Sequence, residues 1–487
     1  LYVLRGKGDF YMKLNLKSLQ DKTPWEKAGI GLPQFDIAAV RAKTKKEPTW
    51  VHFGAGNIFS AFPCAALQDL LDKKEYDRGV IACESYDPEI IDKAYTPFDD
   101  LSLLAILRAD GQIDKRVIAS VTEAWKLDEA GLSRMAEVFK NPSLQMVSLT
   151  VTEKAYVSEN PMMNSLCRLL LERFEATHLP LAMVSMDNCS HNGEKLRSAM
   201  LPVAKAMVDA GKAPAEFMTF MEKEVSFPNS MIDKITPHPD QEIASMLEGL
   251  GFEDAGVIRT QRGTMTAAFV NAEQAEYLVI EDKFPNGRPP LDKAGILFTD
   301  RETVDKVEKM KVGTCLNPLH TALAILGCLL GYKKISDEMK DDDLRRFVER
   351  LGYVESLPVV EDPVVVSPKA FLDEVLTKRV NNPFLPDTPQ RIATDTSQKL
   401  PVRFGWTIQA TADKSTLHCV PFVFAAWLRY LTGVDDMGNT FEPSSDPRMM
   451  EVRARMAGGL SDEPLSDATL FGANLVENGM APAVRSM

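Results

Sequence analysis

Nowhere in these 487 residues do lysines and arginines gather into a basic stripe: 69 acidic residues outnumber 56 basic ones, for a net charge of -13. Affinity for a phosphate backbone comes largely from clustered cations, so a nucleic-acid partner is excluded. Histidine is scarce, with six copies, and the seven cysteines at Cys64, Cys83, Cys167, Cys189, Cys315, Cys328 and Cys419 are odd in number and widely spaced. That pattern makes neither a zinc ligand cluster nor a disulfide framework, and it suits reduced thiols in a reducing compartment. The longest apolar stretches, such as Thr321 to Tyr332, are too short to span a bilayer, and no secretory signal with a cleavage site is visible. No membrane association and a cytoplasmic location are expected. There is no internal repeat and no low-complexity tract. The opening Leu1 to Tyr11 matches nothing that follows, and Met12 is the expected initiator.

What is present is 45% hydrophobic content over a length that implies two domains more readily than one. Apolar runs at Trp50 to Phe53, Val80 to Cys83, Val117 to Val121, Met146 to Val151 and Leu181 to Met186 alternate with helical or polar stretches, as parallel strands joined by crossovers do. After the first run, Ile58, Phe62, Ala66 and Leu70 recur every four residues, which predicts one amphipathic helix with Pro63 early in it. From about Asp300 strand signals thin out. Ser367-Pro368-Lys369 reads as a capped helix start, and His418 to Leu431 and Asp446 to Met456 read as helices. The expected fold class is α/β: a Rossmann-type doubly wound domain over 13–300, then a mainly α-helical domain over 301–487, joined after the turn-rich Pro285 to Pro290.

The first strand ends at Gly54-Ala55-Gly56, followed by Asn57, Ile58 and Phe59 at the start of the helix. Glycines there let the backbone approach a pyrophosphate, and the helix start favours its charge. The third glycine of the usual fingerprint is absent. Glu84 and Asp87 follow the second strand, where an acid accepts hydrogen bonds from a ribose hydroxyl and repels a 2′-phosphate, so NAD is expected over NADP. Asp87 is taken first and Glu84 second. Thr150 and Thr152, at the end of a later strand, are candidates for the cofactor or substrate edge.

A second constellation lies in the segment Lys311 to His320. Asn317 stands where a helix cap would, with Pro318 at the first helical position and His320 in the first turn. A positive helix end beside His320 is expected to keep the imidazole neutral. Ketone reduction needs a proton donor tuned toward the operating pH and neutral donors aimed at the developing alkoxide. Lys311 is the expected donor and Lys309 its competitor.

Asn317 to Gly331 resembles the signature of the mannitol dehydrogenase family, the polyol-specific long-chain dehydrogenases. Further similar stretches follow in order: Gly54 to Phe59, Leu149 to Lys154, Met186 to Asn188 with Asn192-Gly193, Phe227 to Asp233, and Val279 to Phe284 through Gly287-Arg288-Pro289. The resemblance spans most of the chain. It implies a metal-independent, NAD-dependent dehydrogenase in which a lysine acid/base, Lys311, is assisted by Asn317 and His320, with Asn188 and Asp233 in the substrate pocket. The style of these motifs is similar to members acting on a ketouronate, which implies reduction of D-fructuronate to D-mannonate. A related polyol, sugar phosphate or tagaturonate substrate stays open, as does an inactive nucleotide-binding regulatory protein. A uronate needs a cation for its carboxylate, and Arg391, Lys399 and Arg403 are candidates. The expected partners are therefore a small sugar acid or polyol and no macromolecule, in a monomer or weak homo-oligomer. The chain departs from the family pattern twice. Lys311 lies six residues before Asn317 where five is usual, so a one-residue bulge is required, and Ser60 stands where a basic residue is common.

Overall fold

A β-prone run without polar alternation has to be covered on both faces, and Trp50–Phe53 (β1) is: all four of its residues are fully buried. The computed structural model, which describes residues 11–456, 463–467, 475 and 477–487, sets this strand in a parallel sheet. The other strands are Val80–Glu84 (β2), Val121–Lys126 (β3), Met146–Leu149 (β4), Leu181–Ser185 (β5) and Val225–Ser226 (β6). Their order is β3-β2-β1-β4-β5-β6, the doubly wound arrangement, whose direction reverses between β1 and β4. Alternate residues feed two cores. Trp50, Val80, Ala82 and Val184 face one layer with Phe59, Leu67 and Leu70, while Val51, Phe53, Ile81 and Cys83 face the other with Phe139, Leu166 and Phe217. The opening residues 1–10, expected to match nothing in the fold, lie outside the described residues.

Two local expectations are corrected. The helix after the glycine turn is two helices, Asn57–Ala61 (α1) and Pro63–Asp72 (α2), because Phe62 turns out of helical geometry at φ -128 and ψ -67. A proline ring disfavours the helical region for the residue before it, so Pro63 starts a helix and does not ride within one. The run Val117 to Val121 is divided as well. Ile113–Ile118 pairs antiparallel with Ser102–Leu107 in a separate four-stranded sheet, and only from Val121 does the chain enter the parallel one. Buried Gln68 pins the bend between them, donating to the Val117 carbonyl at 2.7 Å and accepting from Ala119 N–H at 2.6 Å.

A buried relay holds the glycine turn. Trp50 Nε1 donates to Ser148 Oγ at 2.7 Å, Ser148 Oγ meets His52 Nδ1 at 2.6 Å, His52 Nε2 meets Thr150 Oγ1 at 2.8 Å, and Thr150 Oγ1 donates to the Gly54 carbonyl at 3.2 Å. Burial pushes His52 down to about 3, so its ring is neutral. A carbonyl only accepts, hence Thr150 must give Gly54 its proton and take one from His52 Nε2, which leaves Nδ1 to accept from Ser148. The tautomer follows from the network.

The described residues fall into two units, Leu1–Leu107 with Gln112–Val304, and Arg108–Gly111 with Asp305–Met487. Beyond Thr299 the described residues hold no strand, only an isolated bridge between Val434 and Thr440. The second unit is helical, built on Asn317–Leu329, in which almost every residue is buried. The helical run Arg301–Leu330 is 30 residues, long and apolar enough to cross a membrane by length and composition. Length therefore does not exclude a span, as the shorter stretch Thr321 to Tyr332 suggested. Its burial, 83% of the apolar stretch inside the protein, marks a core helix. All seven cysteines are buried.

Gly54 has φ +105, and a Cβ there would lie 2.1 Å from the Thr150 carbonyl oxygen, whereas one on Gly56 would meet nothing within 4 Å. Gly54→Ala is therefore expected to lower stability in urea unfolding by on the order of 3 kcal/mol. Gly56→Ala should leave the unfolding midpoint within experimental scatter while weakening cofactor binding. Equal midpoints for the two variants would contradict the close approach of the turn to β4.

Candidate active site

Glu84 is the last residue of β2, and its carboxylate closes onto the glycine turn. Oε2 accepts from Ala55 N–H at 2.7 Å, and Oε1 accepts from Tyr86 N–H at 2.6 Å and Asp87 N–H at 3.0 Å. Asp87 is buried and takes the Thr260 hydroxyl at 2.6 Å. The acid set against the turn is thus Glu84. Asn57 and Ile58 open α1 with partly exposed side chains, whereas Phe59 is fully buried and stacks on His52 with ring centroids 3.9 Å apart. Ser60 is also buried, 3.1 Å from the Tyr95 hydroxyl, and reaches no solvent-facing position from which to meet a phosphate. Thr150 serves the His52 relay, and Thr152 is exposed at the start of the short turn Glu153–Ala155.

Past β5, Asp187 accepts from Val151 N–H at 2.9 Å and from the Tyr156 hydroxyl, tying the β4 and β5 loops together. Burial raises its carboxyl above the ordinary aspartate range, and those two hydrogen bonds oppose the rise. Asn188 beside it is exposed. Asp233 ends the strand Ser230–Asp233 and is 4% exposed. The open space beside Gly56, the close turn at Gly54 and the acid at the end of β2 together fit a dinucleotide.

In the helical unit, Arg301–Met310 (α3) runs into a wider π-helical turn, Lys311–Cys315, and the chain leaves helical geometry at Leu316, with φ -123 and ψ -64. Asn317–Leu329 (α4) then begins with Pro318 behind its first residue. Leu316, and not Asn317, occupies the cap position, because the wide turn uses one residue more than the α-helical spacing assumed from sequence. Leu316 N–H bonds to the Lys311 carbonyl at 3.3 Å across that turn. The bulge that the Lys311 to Asn317 spacing requires is present in this form. Gly313 permits it, since a Cβ there would lie 3.3 Å from Trp406 Cβ on the helix Thr396–Ala410 (α5).

Lys311 is 3% exposed on this turn. Lys309 is exposed, with its ammonium 4.4 Å over the Trp406 ring, a cation–π contact that draws it away. His320 lies in the first turn of α4, its Nε2 buried without a hydrogen-bond partner among the described residues and 3.7 Å from Asp387 Oδ2. Burial pushes the imidazole down to about 4. Asp387 works against that, and Arg379, Arg403 and Arg391 add to it. The neutrality expected from the helix end is thus owed mainly to burial.

Cations crowd this place. Arg391 pairs with Asp387, and its own side chain is 62% exposed. The Lys399 ammonium donates to the carbonyls of Ile392, at 2.9 Å, and of Thr394. It is pushed down to about 8, first by burial and then by Arg403. Arg403, one turn further along α5, donates from Nη1 to Thr321 Oγ1 at 2.6 Å and to the Asn317 carbonyl at 3.5 Å. The structure therefore links His320, Arg391, Arg403, Thr321 and Asp387 in the helical unit, with Lys311 and Asn317 on the turn and helix start beside them and Lys399 one turn before Arg403. The role of Thr321 was not read from sequence. Its position one residue after His320 is the signal that could have found it.

Two family profiles match in tandem, the mannitol dehydrogenase Rossmann domain over residues 48–293 and the mannitol dehydrogenase C-terminal domain over 303–481. The D-mannonate oxidoreductase of Thermotoga maritima is 46% identical, covering 98% of this chain and 96% of its own. The polyol:NADP oxidoreductase of Gluconobacter oxydans is 28% identical over 88% of each. A substrate-free D-sorbitol dehydrogenase superposes with a TM-score of 0.80 at 26% identity over 94% of both chains. The Pseudomonas fluorescens mannitol 2-dehydrogenase, solved with NAD and D-mannitol, shares the fold at a TM-score of 0.71 and 24% identity, covering 98% of this chain and 96% of its own. With both domains matched in order along most of its length, the chain belongs to the mannitol dehydrogenase family.

Proposed function

We propose that this NAD-dependent oxidoreductase of CH–OH groups reduces a ketouronate, D-fructuronate to D-mannonate, with Lys311 as the general acid. The observation that carries the reading is the burial of Lys311 on a π-helical turn that leads directly into Asn317 and His320, beside a surplus of cations. The D-mannonate oxidoreductase of Thermotoga maritima, at 46% identity, favours a sugar acid over a neutral polyol. The α/β unit holds the cofactor and the helical unit the reacting sugar.

Bound NADH supplies the hydride. The chain's own residues handle the oxygen: Lys311 gives a proton to the carbonyl oxygen as it becomes an alcohol, and takes one back in the oxidative direction. Asn317 and neutral His320 donate hydrogen bonds to the same oxygen, and neutrality matters because a cationic imidazole would compete with Lys311 as the acid. On the cofactor side, Gly54 and Gly56 admit the pyrophosphate and Asn57 and Ile58 border it, with Thr150 and Thr152 at its edge. Glu84 has a lone pair left on Oε2 for a ribose hydroxyl, and its charge opposes a 2′-phosphate.

Steady-state oxidation of NADH and NADPH with D-fructuronate, D-tagaturonate and D-fructose tests the reading. D-fructuronate with NADH should have the highest kcat/KM. A better rate with D-tagaturonate or D-fructose would move the substrate within the family, and NADPH used as well as NADH would refute the Glu84 argument. Tight NADH binding without turnover of any ketone would establish a regulatory protein instead.

The proton-transfer assignment has its own test. Lys311→Met keeps most of the stem and removes the proton, so turnover should fall by on the order of a hundredfold or more with NADH affinity nearly unchanged. Lys309→Met should be nearly silent. Reversed results would transfer the role to Lys309, and two silent variants would remove lysine from the mechanism.

A further inference from the structure

We propose that Arg403, steadied by Thr321, is the anchor for the substrate's carboxylate and the residue that makes the site choose a sugar acid over its uncharged counterpart. The inference deepens the ketouronate reading and rests on it.

The argument begins with two arginines that burial affects alike. Arg173 and Arg403 are both pushed down to about 10 by the loss of water around them. Arg173 is structural. Nε reaches the Leu179 carbonyl, Nη1 those of Phe139 and Asn141, and Nη2 those of Leu144 and Pro180, so every N–H of its guanidinium is satisfied. Arg403 differs. Only Nη1 has acceptors, Thr321 Oγ1 and the Asn317 carbonyl, both on the first turn of α4. Nε and Nη2 have no hydrogen bond among the described residues, and no carboxylate there lies within ion-pair distance. Arg403 is half-buried, so these two nitrogens stay within reach of a ligand, and an anion there would supply the counter-charge that the guanidinium lacks among the described residues.

The two unused nitrogens form the side-on edge of the fork, where parallel N–H bonds match the two oxygens of a carboxylate. The other cations here differ. Arg391 already has a counter-charge in Asp387 and is largely exposed, and Lys399 gives two of its three ammonium N–H groups to the Ile392 and Thr394 carbonyls. Asp387 is engaged with Arg391 and faces His320, so it does not neutralise Arg403. Thr321 completes the mount. Its hydroxyl donates to the Asn317 carbonyl at 2.9 Å and accepts from Nη1, which fixes the plane of the fork relative to the residue proposed to bind the reacting oxygen. One side chain thereby couples the position of the carboxylate to the position of the carbonyl. Arg403 acts here on the substrate's far end, apart from the proton transfer.

The test compares D-fructuronate with its methyl ester, which keeps the sugar and removes the charge, in the wild-type protein, Arg403→Gln and Arg403→Lys. The wild type should favour the acid over the ester by on the order of a hundredfold in kcat/KM, mainly through KM. Arg403→Gln should cut that preference to below about fivefold by weakening the acid alone, and Arg403→Lys, which keeps charge without the fork, should fall between. NADH affinity, measured by fluorescence titration, should stay within about twofold in each variant and thereby reports that the variants are folded. Arg403→Lys carries the comparison should Arg403→Gln not fold. A preference that survives both substitutions, or an equal loss on acid and ester, overturns the anchor alone. A wild type that binds NADH and reduces D-fructose but neither acid nor ester overturns the ketouronate reading and the anchor with it.

Discussion

The active part of the helical unit depends on one irregularity, the π-helical turn from Lys311 to Cys315. A π turn takes one residue more per bond than an α turn, and such turns recur where a side chain has to be redirected. Here it sits inside a helical run otherwise apolar enough to be a plain core element. Thr314 bonds back to the Met310 carbonyl at 2.7 Å, and the missing side chain of Gly313 lets α5 close against the turn through Trp406. The consequence is a buried Lys311 and a fresh helix start at Asn317. His320, Thr321 and the Arg403 contact all hang on the register that the break sets.

Cations are dense near His320. Arg379, Arg391 and Arg403 act on His320; Arg391, Arg403, Asp395 and Asp446 act on Lys399; and Asp387 pairs with Arg391 and faces His320. Burial, more than these arginines, pushes the His320 imidazole down to about 4.

In the α/β unit the strand, Gly-x-Gly turn and second-strand acid were legible, because backbone approach and strand burial leave direct marks in sequence. The split at Phe62 was not, since a four-residue apolar period hides a proline-induced break when both halves bury the same face. Val117 to Val121 looked like one strand because the bend is stabilised by Gln68, fifty residues earlier and unremarkable there. Choosing between Glu84 and Asp87 needed the Thr260 contact, made across 173 positions. In the helical unit the lysine spacing announced a bulge, yet its form and the cap at Leu316 did not follow from residue types. That Arg403 has an unused edge is a statement about absent partners, which only three dimensions supply.

The most direct measurement is a crystal structure of the abortive complex with NADH and D-mannonate. The account predicts the Lys311 ammonium within hydrogen-bond distance, about 3 Å, of the substrate's carbinol oxygen, with the Asn317 amide and His320 Nε2 on the same atom. A mannonate whose carbinol oxygen is met by Lys309, or by no lysine at all, would contradict it.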